Sequence, residues 1–199
     1  MRGTRYLARL TRLVRRFART NRAVAAVEFA LVLPLMLTMY LGSTELSQLI
    51  NIDQRVTVIA GTIGDLVSRE KNTLPAGDLT DFFQAATAIL NPFPTASLNQ
   101  TVTLLSIDST GKITVKWSQG TTGARTLPTG ALTVTNFVSP DIVSLVEGAA
   151  APYVVVSEAS YTYTPLLGLF FTKPFTLYHK GYYLPRYPAI ICYPTSPCS

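Results

Sequence analysis

Histidine and cysteine are nearly absent from this chain. Its 199 residues include one histidine, His179, and two cysteines, Cys192 and Cys198. Structural zinc sites use about four such ligands, and a lone exposed histidine is more often solvated than catalytic. The sequence also lacks G-x-S-x-G, H-E-x-x-H, a P-loop and G-x-G-x-x-G. We therefore expect no enzyme, no metal site and no cofactor.

Acidic residues are missing from the first 22 positions, which carry eight arginines: Arg2, Arg5, Arg9, Arg12, Arg15, Arg16, Arg19 and Arg22. The remaining chain has nine Lys or Arg against eleven Asp or Glu, a balance of −2, so the net charge of +6 belongs to this tail. A basic tail can bind nucleic acid or anionic lipid, and the segment that follows it decides between them.

Charge is also scarce from residue 23 to residue 43, a segment that reads AVAAVEFALVLPLMLTMYLGS with Glu28 as its one charged side chain. As a helix it would span about 31 Å, close to the hydrocarbon thickness of about 30 Å. A signal peptide has a shorter apolar run and an A-x-A site. We therefore predict a retained transmembrane helix in the lipid bilayer. By the positive-inside rule, residues 1–22 are a cytoplasmic leader, with no nucleic-acid partner.

The helical pattern continues beyond this anchor. Apolar side chains recur at steps of three, four or seven, with polar residues on much of the other face: Leu46, Leu49, Ile50, Val56, Ile59, Ala60, Ile63 and Val67. This periodicity is typical of an amphipathic helix. We predict one nearly continuous helix over about residues 22–69. Its part at 44–69 extends beyond the membrane, on the side opposite the leader, and is expected to lay the apolar stripe on a folded domain.

Two residues inside the anchor are unusual. A carboxylate near the centre of a bilayer costs about 2.5–3.5 kcal/mol, so Glu28 is expected to have a partner or a function. The alternative is that Glu28 lies near the cytoplasmic interface and snorkels towards Arg19 or Arg22. Position alone favours neither interpretation. Pro34 removes one backbone donor, and a kink without further role is the simplest expectation.

The segment from Asn21 to Pro34, N-R-A-V-A-A-V-E-F-A-L-V-L-P, resembles the N-terminus of TadE-like proteins. These are pseudopilins of tight-adherence (Tad, Flp-type) pilus systems. In that family a basic leader precedes a small residue, a short apolar stretch, a glutamate, an aromatic residue and an apolar run with a proline. Ala23, Glu28, Phe29 and Pro34 occupy these positions, and the resemblance covers roughly residues 20–65.

The resemblance implies a processing site and a set of partners. A prepilin peptidase would cut between Ala23 and Val24, although such systems usually have glycine at the first of these positions. Glu28 would then be the fifth residue of the mature chain, with Phe29 beside it, and would pair with the N-terminal amine of a neighbouring subunit. A charge in lipid is tolerable when an opposite charge matches it. The expected partners are other pilins or pseudopilins in the bacterial inner membrane.

Residues 70–199 are predicted to form a periplasmic α+β domain, with the long helix packed on an antiparallel sheet as in pilins. A helix is expected from Leu79 to Leu90, with Asp78 or Thr80 as its cap. The other predicted elements are strands at 101–107 and 113–117 joined by a turn at 108–111, a short strand at 132–137, one or two helical turns at 141–147, and strands at 153–163 and 176–183.

Cys192 and Cys198 stand in the sequence C-Y-P-T-S-P-C. In an exported domain such a pair is expected to form a disulfide. A metal pair would need further ligands nearby, and a redox pair usually has C-x-x-C spacing. We also expect most of an aromatic cluster to lie in the core and on the sheet, rather than on a binding surface: Tyr161, Tyr163, Phe170, Phe171, Phe175, Tyr178, Tyr182, Tyr183 and Tyr187.

Two function classes follow. The first is a minor pseudopilin that supports assembly of a tight-adherence pilus. The second is a membrane-anchored periplasmic binding or sensing module that takes no part in pili. A sensor would need a cytoplasmic output domain, whereas only about 22 residues are predicted on that side.

Overall fold

A helix of 48 residues, α1 (Asn21–Ser68), is the first element of the structure. The computed structural model describes residues 21–132, 137–149, 151–165 and 173–194, with the backbone alone at 21–23. These residues divide into two units, one ending at Ser47 and the other beginning at Gln48. The helix agrees with the expectation of a nearly continuous helix over residues 22–69.

The second unit contains a five-stranded antiparallel sheet. Along the chain its elements are α2 (Ala76–Ala88), β1 (Leu98–Ile107), β2 (Ile113–Gly120), β3 (Gly130–Ala131), α3 (Pro140–Val146), β4 (Tyr153–Tyr163) and β5 (Phe175–Tyr183). The strand order is β3-β2-β1-β4-β5, which places β1 and β4 in the middle. The long N-terminal helix followed by this sheet confirms the predicted α+β class.

The turn between β1 and β2 shows why this hairpin forms. The Asp108 carboxylate accepts hydrogen bonds from the backbone N–H groups of Thr110 at 2.8 Å and Lys112 at 3.0 Å. Gly111 has φ +75°, a conformation that glycine adopts without steric cost. Asp-Ser-Thr-Gly therefore fixes the hairpin locally, as the sequence predicted.

One face of the sheet packs on the helices of the second unit. Six α1 side chains enter this core: Ile52, Val56, Ile59, Ala60, Ile63 and Val67. Leu79, Phe83 and Ala86 come from α2, whereas Val102, Leu104, Trp117 and Val155 come from the strands. Burying each larger side chain contributes roughly 1.5–3 kcal/mol, so this interface is the main stabilising layer of the unit.

Ile191 completes the same core although it follows the last strand. Its side chain is fully buried, and its carbonyl accepts a hydrogen bond from the Trp117 indole at 2.6 Å. Next to it, Cys192 exchanges backbone hydrogen bonds with Asn72 and Leu74, at 2.8 and 2.9 Å. The segment after β5 is thereby fastened to the segment between α1 and α2.

The other face of the sheet carries a smaller apolar cluster at one end. Leu105, Ile107, Val115, Val154 and Val156 of the strands are covered there by Leu127, Phe137, Val138 and Val146. Side chains alternate between the two faces along a strand, which explains why both faces carry an apolar cluster. Odd-numbered residues of β4 mostly face the helices, and even-numbered ones mostly face away.

Some sequence expectations were wrong in detail. Helix α2 begins at Ala76 after Pro75 and has no side-chain cap, whereas Asp78 or Thr80 was expected to cap it. The Pro75 backbone is extended and leads directly into the helix, and Asp78 lies in the first turn, where a negative charge suits the helix dipole. The expected strand at 132–137 falls mainly on residues 133–136, which lie outside the described part, and a two-residue strand, β3, lies just before it at 130–131.

Candidate functional site

The first unit presents an apolar helix surface. Every side chain from Val24 to Tyr40 is exposed. The large ones are Val24, Val27, Phe29, Leu31, Val32, Leu33, Leu35, Met36, Leu37, Met39 and Tyr40. In the described part of the chain, α1 is the one helix long and apolar enough to cross a membrane, and its most apolar stretch is not buried. This surface suggests single-pass anchoring, because lipid is the solvent that such a surface requires.

Glu28 is exposed within this apolar surface. It is the one charged side chain between residues 23 and 44, and Phe29 follows it directly. The structure does not test whether Glu28 snorkels towards Arg19 or Arg22, because Arg19 lies outside the described residues and the side chain of Arg22 is not described. The structure therefore places a carboxylate on an apolar helix, which makes Glu28 the chemically distinctive group of the anchor.

The expected processing site lies in the first turn of α1. Ala23 and Val24 are both helical, and Val24 is half exposed. Further along, α1 remains helical through Pro34. The Thr38 hydroxyl donates to the Pro34 carbonyl at 2.5 Å, a bond by which a polar side chain is satisfied within its own helix. An ionised carboxylate cannot be satisfied in this way, because it has no hydrogen to donate to a backbone carbonyl.

The predicted disulfide falls partly outside the described residues. Cys192 is buried and held by the backbone bonds to Asn72 and Leu74. Cys198 lies beyond residue 194, although none of the cysteines in the described ranges is free. The Cys192–Cys198 pairing stays a prediction, and mass spectrometry of the unreduced protein that found two thiols would contradict it.

His179 was expected to be solvated rather than catalytic, and its side chain is partly exposed but also bonds to a carboxylate. Its Nε2 lies 2.7 Å from Oδ1 of Asp53, which joins strand β5 to helix α1. The two residues are 126 positions apart, so local sequence gives no sign of this contact. The described residues contain no cluster of three or more His, Cys, Asp or Glu side chains that could hold a metal. The arrangement indicates a structural bond between helix and sheet.

The aromatic cluster is partly core and partly surface. Tyr161 and Tyr163 are buried, as expected. Phe175 and Tyr178 lie on the sheet in strand β5, as expected, and are 37% and 50% exposed. Tyr187 follows β5 and is 42% exposed, so it lies neither in the core nor on the sheet. Phe170 and Phe171 lie outside the described residues.

Comparison with known protein families gives a match for one segment of the chain. A family model described as TadE-like protein matches residues 23–61. The match begins at Ala23 and includes Glu28, Phe29 and Pro34, so it confirms the resemblance seen between Asn21 and Pro34. Neither the curated proteins nor the solved structures contain a match to this chain.

Proposed function

We propose, from the TadE-like segment at residues 23–61, that this chain is a minor pseudopilin-like component of a tight-adherence (type IVc, Flp-type) pilus assembly system. The proposal places α1 in the bacterial inner membrane, the leader in the cytoplasm and the sheet domain in the periplasm. It assigns the chain no catalytic activity. The observation that carries it is the single carboxylate, Glu28, on the apolar surface of the matched segment.

The physical argument concerns the cost of Glu28. An unmatched carboxylate in lipid is unfavourable by about 2.5–3.5 kcal/mol near the bilayer centre, and less towards the interface. A protein that only needs an anchor gains nothing from that cost. A second helix that brings an amine to the same depth removes much of the cost, because the opposite charges then neutralise each other. Glu28 would therefore favour association of helices over the isolated helix.

Processing would create that amine. Cleavage between Ala23 and Val24 by a prepilin peptidase removes the arginine-rich leader and leaves Val24 with a free α-amino group. Val24 and Glu28 are four positions apart, so within one helix the two groups lie about one turn apart along the axis. A neighbouring helix displaced by about one turn would place its amine beside Glu28, which Phe29 and the surrounding apolar side chains would shield from water.

The test compares four variants of the full chain in cells with an active prepilin peptidase. Glu28→Gln keeps the size of the side chain and removes its charge, so it should be processed normally but fail to co-purify with pilus components. Thr38→Val is the matched control, because it removes a polar group that is already bonded within the helix. It should behave like the unaltered protein. Ala23→Arg should remain uncut, and Ala23→Gly should be cut.

Each readout separates the proposal from its alternative. Gel mobility and N-terminal sequencing of the membrane fraction report processing, and co-purification reports assembly. Normal assembly of Glu28→Gln would mean that the carboxylate only snorkels to the interface. An unaltered chain that still begins at Met1 would remove the amine and with it the pairing mechanism. These two results together would favour a membrane-anchored binding or sensing module that takes no part in pili.

A further inference from the structure

A polar groove lies on the sheet face that points away from the helices. The apolar cluster covers only one end of that face, and the other end carries hydroxyl and charged side chains. Register brings them together, since Thr101 pairs with Glu158, Ser160 pairs with Tyr178, and Thr162 pairs with Thr176. The groove has a volume of about 380 Å³, within the range of small-ligand sites.

The floor of the groove is a carboxylate held in place. Glu158 is only 9% exposed, and the Tyr178 hydroxyl donates a hydrogen bond to its Oε1. Burial, and secondly this bond to Glu158, raise the pKa of Tyr178, so its hydroxyl remains a donor at neutral pH. Tyr178 as a whole residue is 50% exposed. The floor therefore offers a fixed carboxylate beside an accessible aromatic face.

A guanidinium group forms one wall. Arg125 lies in the loop after β2, and its carbonyl accepts a hydrogen bond from the Thr101 hydroxyl at 2.9 Å. Two residues later the Leu127 N–H donates to the Ser118 hydroxyl at 3.0 Å. The sheet thus holds the loop backbone at Arg125 and at Leu127, while the Arg125 side chain remains exposed at the groove. The fixed backbone keeps the base of this side chain at the groove and lowers the cost of ordering it around a ligand.

The charges decide the class of ligand. A buried carboxylate on the floor disfavours anions, and a guanidinium on the wall disfavours cations. A neutral ligand rich in hydroxyl groups can satisfy both, because it donates to Glu158 and accepts from Arg125. The half-exposed ring of Tyr178 supplies an apolar surface for the C–H face of such a ligand. A peptide strand would instead use the free edge of a sheet, whereas this groove lies on a face.

We propose that this groove binds a neutral glycan of a few sugar units. Glu158 and Arg125 contact vicinal hydroxyls, the Tyr178 ring stacks on a sugar face, and the hydroxyls of Ser160 and Thr176 line the rim. The site lies entirely in the second unit and does not depend on the assembly role of Glu28.

The test uses the full chain in phosphatidylcholine nanodiscs, because glycoside detergents would compete for the groove. Chitotetraose, cellotetraose and maltotetraose are titrated in by calorimetry up to about 10 mM, a range that detects weak binding. At least one of them should bind saturably. Tyr178→Ala and Arg125→Ala should each weaken that binding about tenfold or more, as expected for loss of a stacked ring or a charged hydrogen bond. Tyr178→Phe keeps the ring and should weaken it less.

Two matched controls show whether the effect is local. Tyr187→Ala removes another exposed aromatic ring, and Lys116→Ala removes another exposed cation, both outside the groove lining. Each should leave the affinity within about twofold, since surface substitutions have small effects. Fluorescence of Trp117, the one tryptophan, checks that every variant is folded. Failure of all three glycans to bind would overturn the proposal, as would binding that Arg125→Ala and Tyr178→Ala leave unchanged.

Discussion

At the residue scale, Gly64 shows how closely helix and sheet approach each other. A Cβ built at Gly64 would lie 2.2 Å from two ring atoms of Tyr183 and 2.7 Å from the Ser157 hydroxyl. At Gly61, one turn earlier, the nearest atom is the Tyr183 hydroxyl oxygen at 3.4 Å. From the sequence, both glycines only predicted a locally weaker helix. In the structure, the lack of a side chain at Gly64 leaves the space that the ring of Tyr183, on β5, occupies.

The two glycines should therefore respond differently to the same substitution. Gly64→Ala should lower the free energy of unfolding by about 1–3 kcal/mol, because the added methyl group overpacks the contact with Tyr183. Gly61→Ala is the matched control and should be close to neutral or stabilising by up to about 1 kcal/mol, because alanine favours the helix. Chemical unfolding followed by Trp117 fluorescence measures both. Equal effects of the two substitutions would show that helix propensity, not packing, governs this contact.

Other residues also acquired a role only through the fold. His179 meets Asp53 across 126 positions, and Glu158 meets Tyr178 only because β4 and β5 pair in one register. Such contacts leave no periodicity or motif in the sequence. Glu28 differs, because a single charge in an apolar run is unusual on the sequence alone. The candidate assembly residue could therefore be predicted, whereas the polar groove could not.

At the element scale, local patterns predicted strands better than helix faces. Strand β4 spans the expected residues 153–163, because alternation and β-branched residues mark it clearly. On α1, Ile52 is buried although it was left out of the predicted stripe. Leu46 and Ile50 were included in it and are about half exposed. A helix rich in apolar residues allows several stripes, and only the packed sheet selects one of them.

An ion pair and a backbone hydrogen bond join the end of α1 to the segment after β5. Asp65 contacts Arg69, directly after the end of the helix, and Arg186 at 2.8 Å, and the backbone N–H of Arg186 donates to the Ser68 carbonyl at 2.8 Å. The side-chain hydrogen bond from Arg69, and further that from Arg186, hold the pKa of Asp65 below its ordinary value of 3.8. The folded protein therefore binds a proton at this site less readily than the unfolded chain does.

This shift predicts the direction of an acid effect. The contribution of Asp65 to stability is present above about pH 3.8 and is lost as the pH falls through the lowered pKa of the folded state. Asp65→Asn should therefore flatten the fall of unfolding free energy below about pH 4. Asp81→Asn, at an exposed position of α2, serves as the control. Denaturant titrations between pH 2 and pH 7 measure the slope, and an unchanged slope in Asp65→Asn would contradict the argument.

At the scale of the whole molecule, charge asymmetry predicts orientation. Eight arginines precede the apolar segment, whereas the rest of the chain has a slight excess of acidic residues. The positive-inside rule therefore predicts a cytoplasmic N-terminus. Alkaline phosphatase, which is active only outside the cytoplasm, should be active when fused after Ser199 and inactive when fused after Arg22. The opposite pattern, or a fluorescent cytoplasmic reporter after Ser199, would reverse the proposed topology.

The burial of Ile191 has a consequence for biogenesis. A ribosome delivers Ile191 only after the whole sheet, 74 residues later than its partner Trp117. Until then the core between α1, α2 and the strands lacks the Ile191 side chain. The Leu74 N–H likewise lacks its hydrogen-bond acceptor, the Cys192 carbonyl. The domain therefore cannot complete this core before the segment after β5 is in place. Until that segment docks, apolar surface stays accessible, and such surface is what chaperones bind during folding.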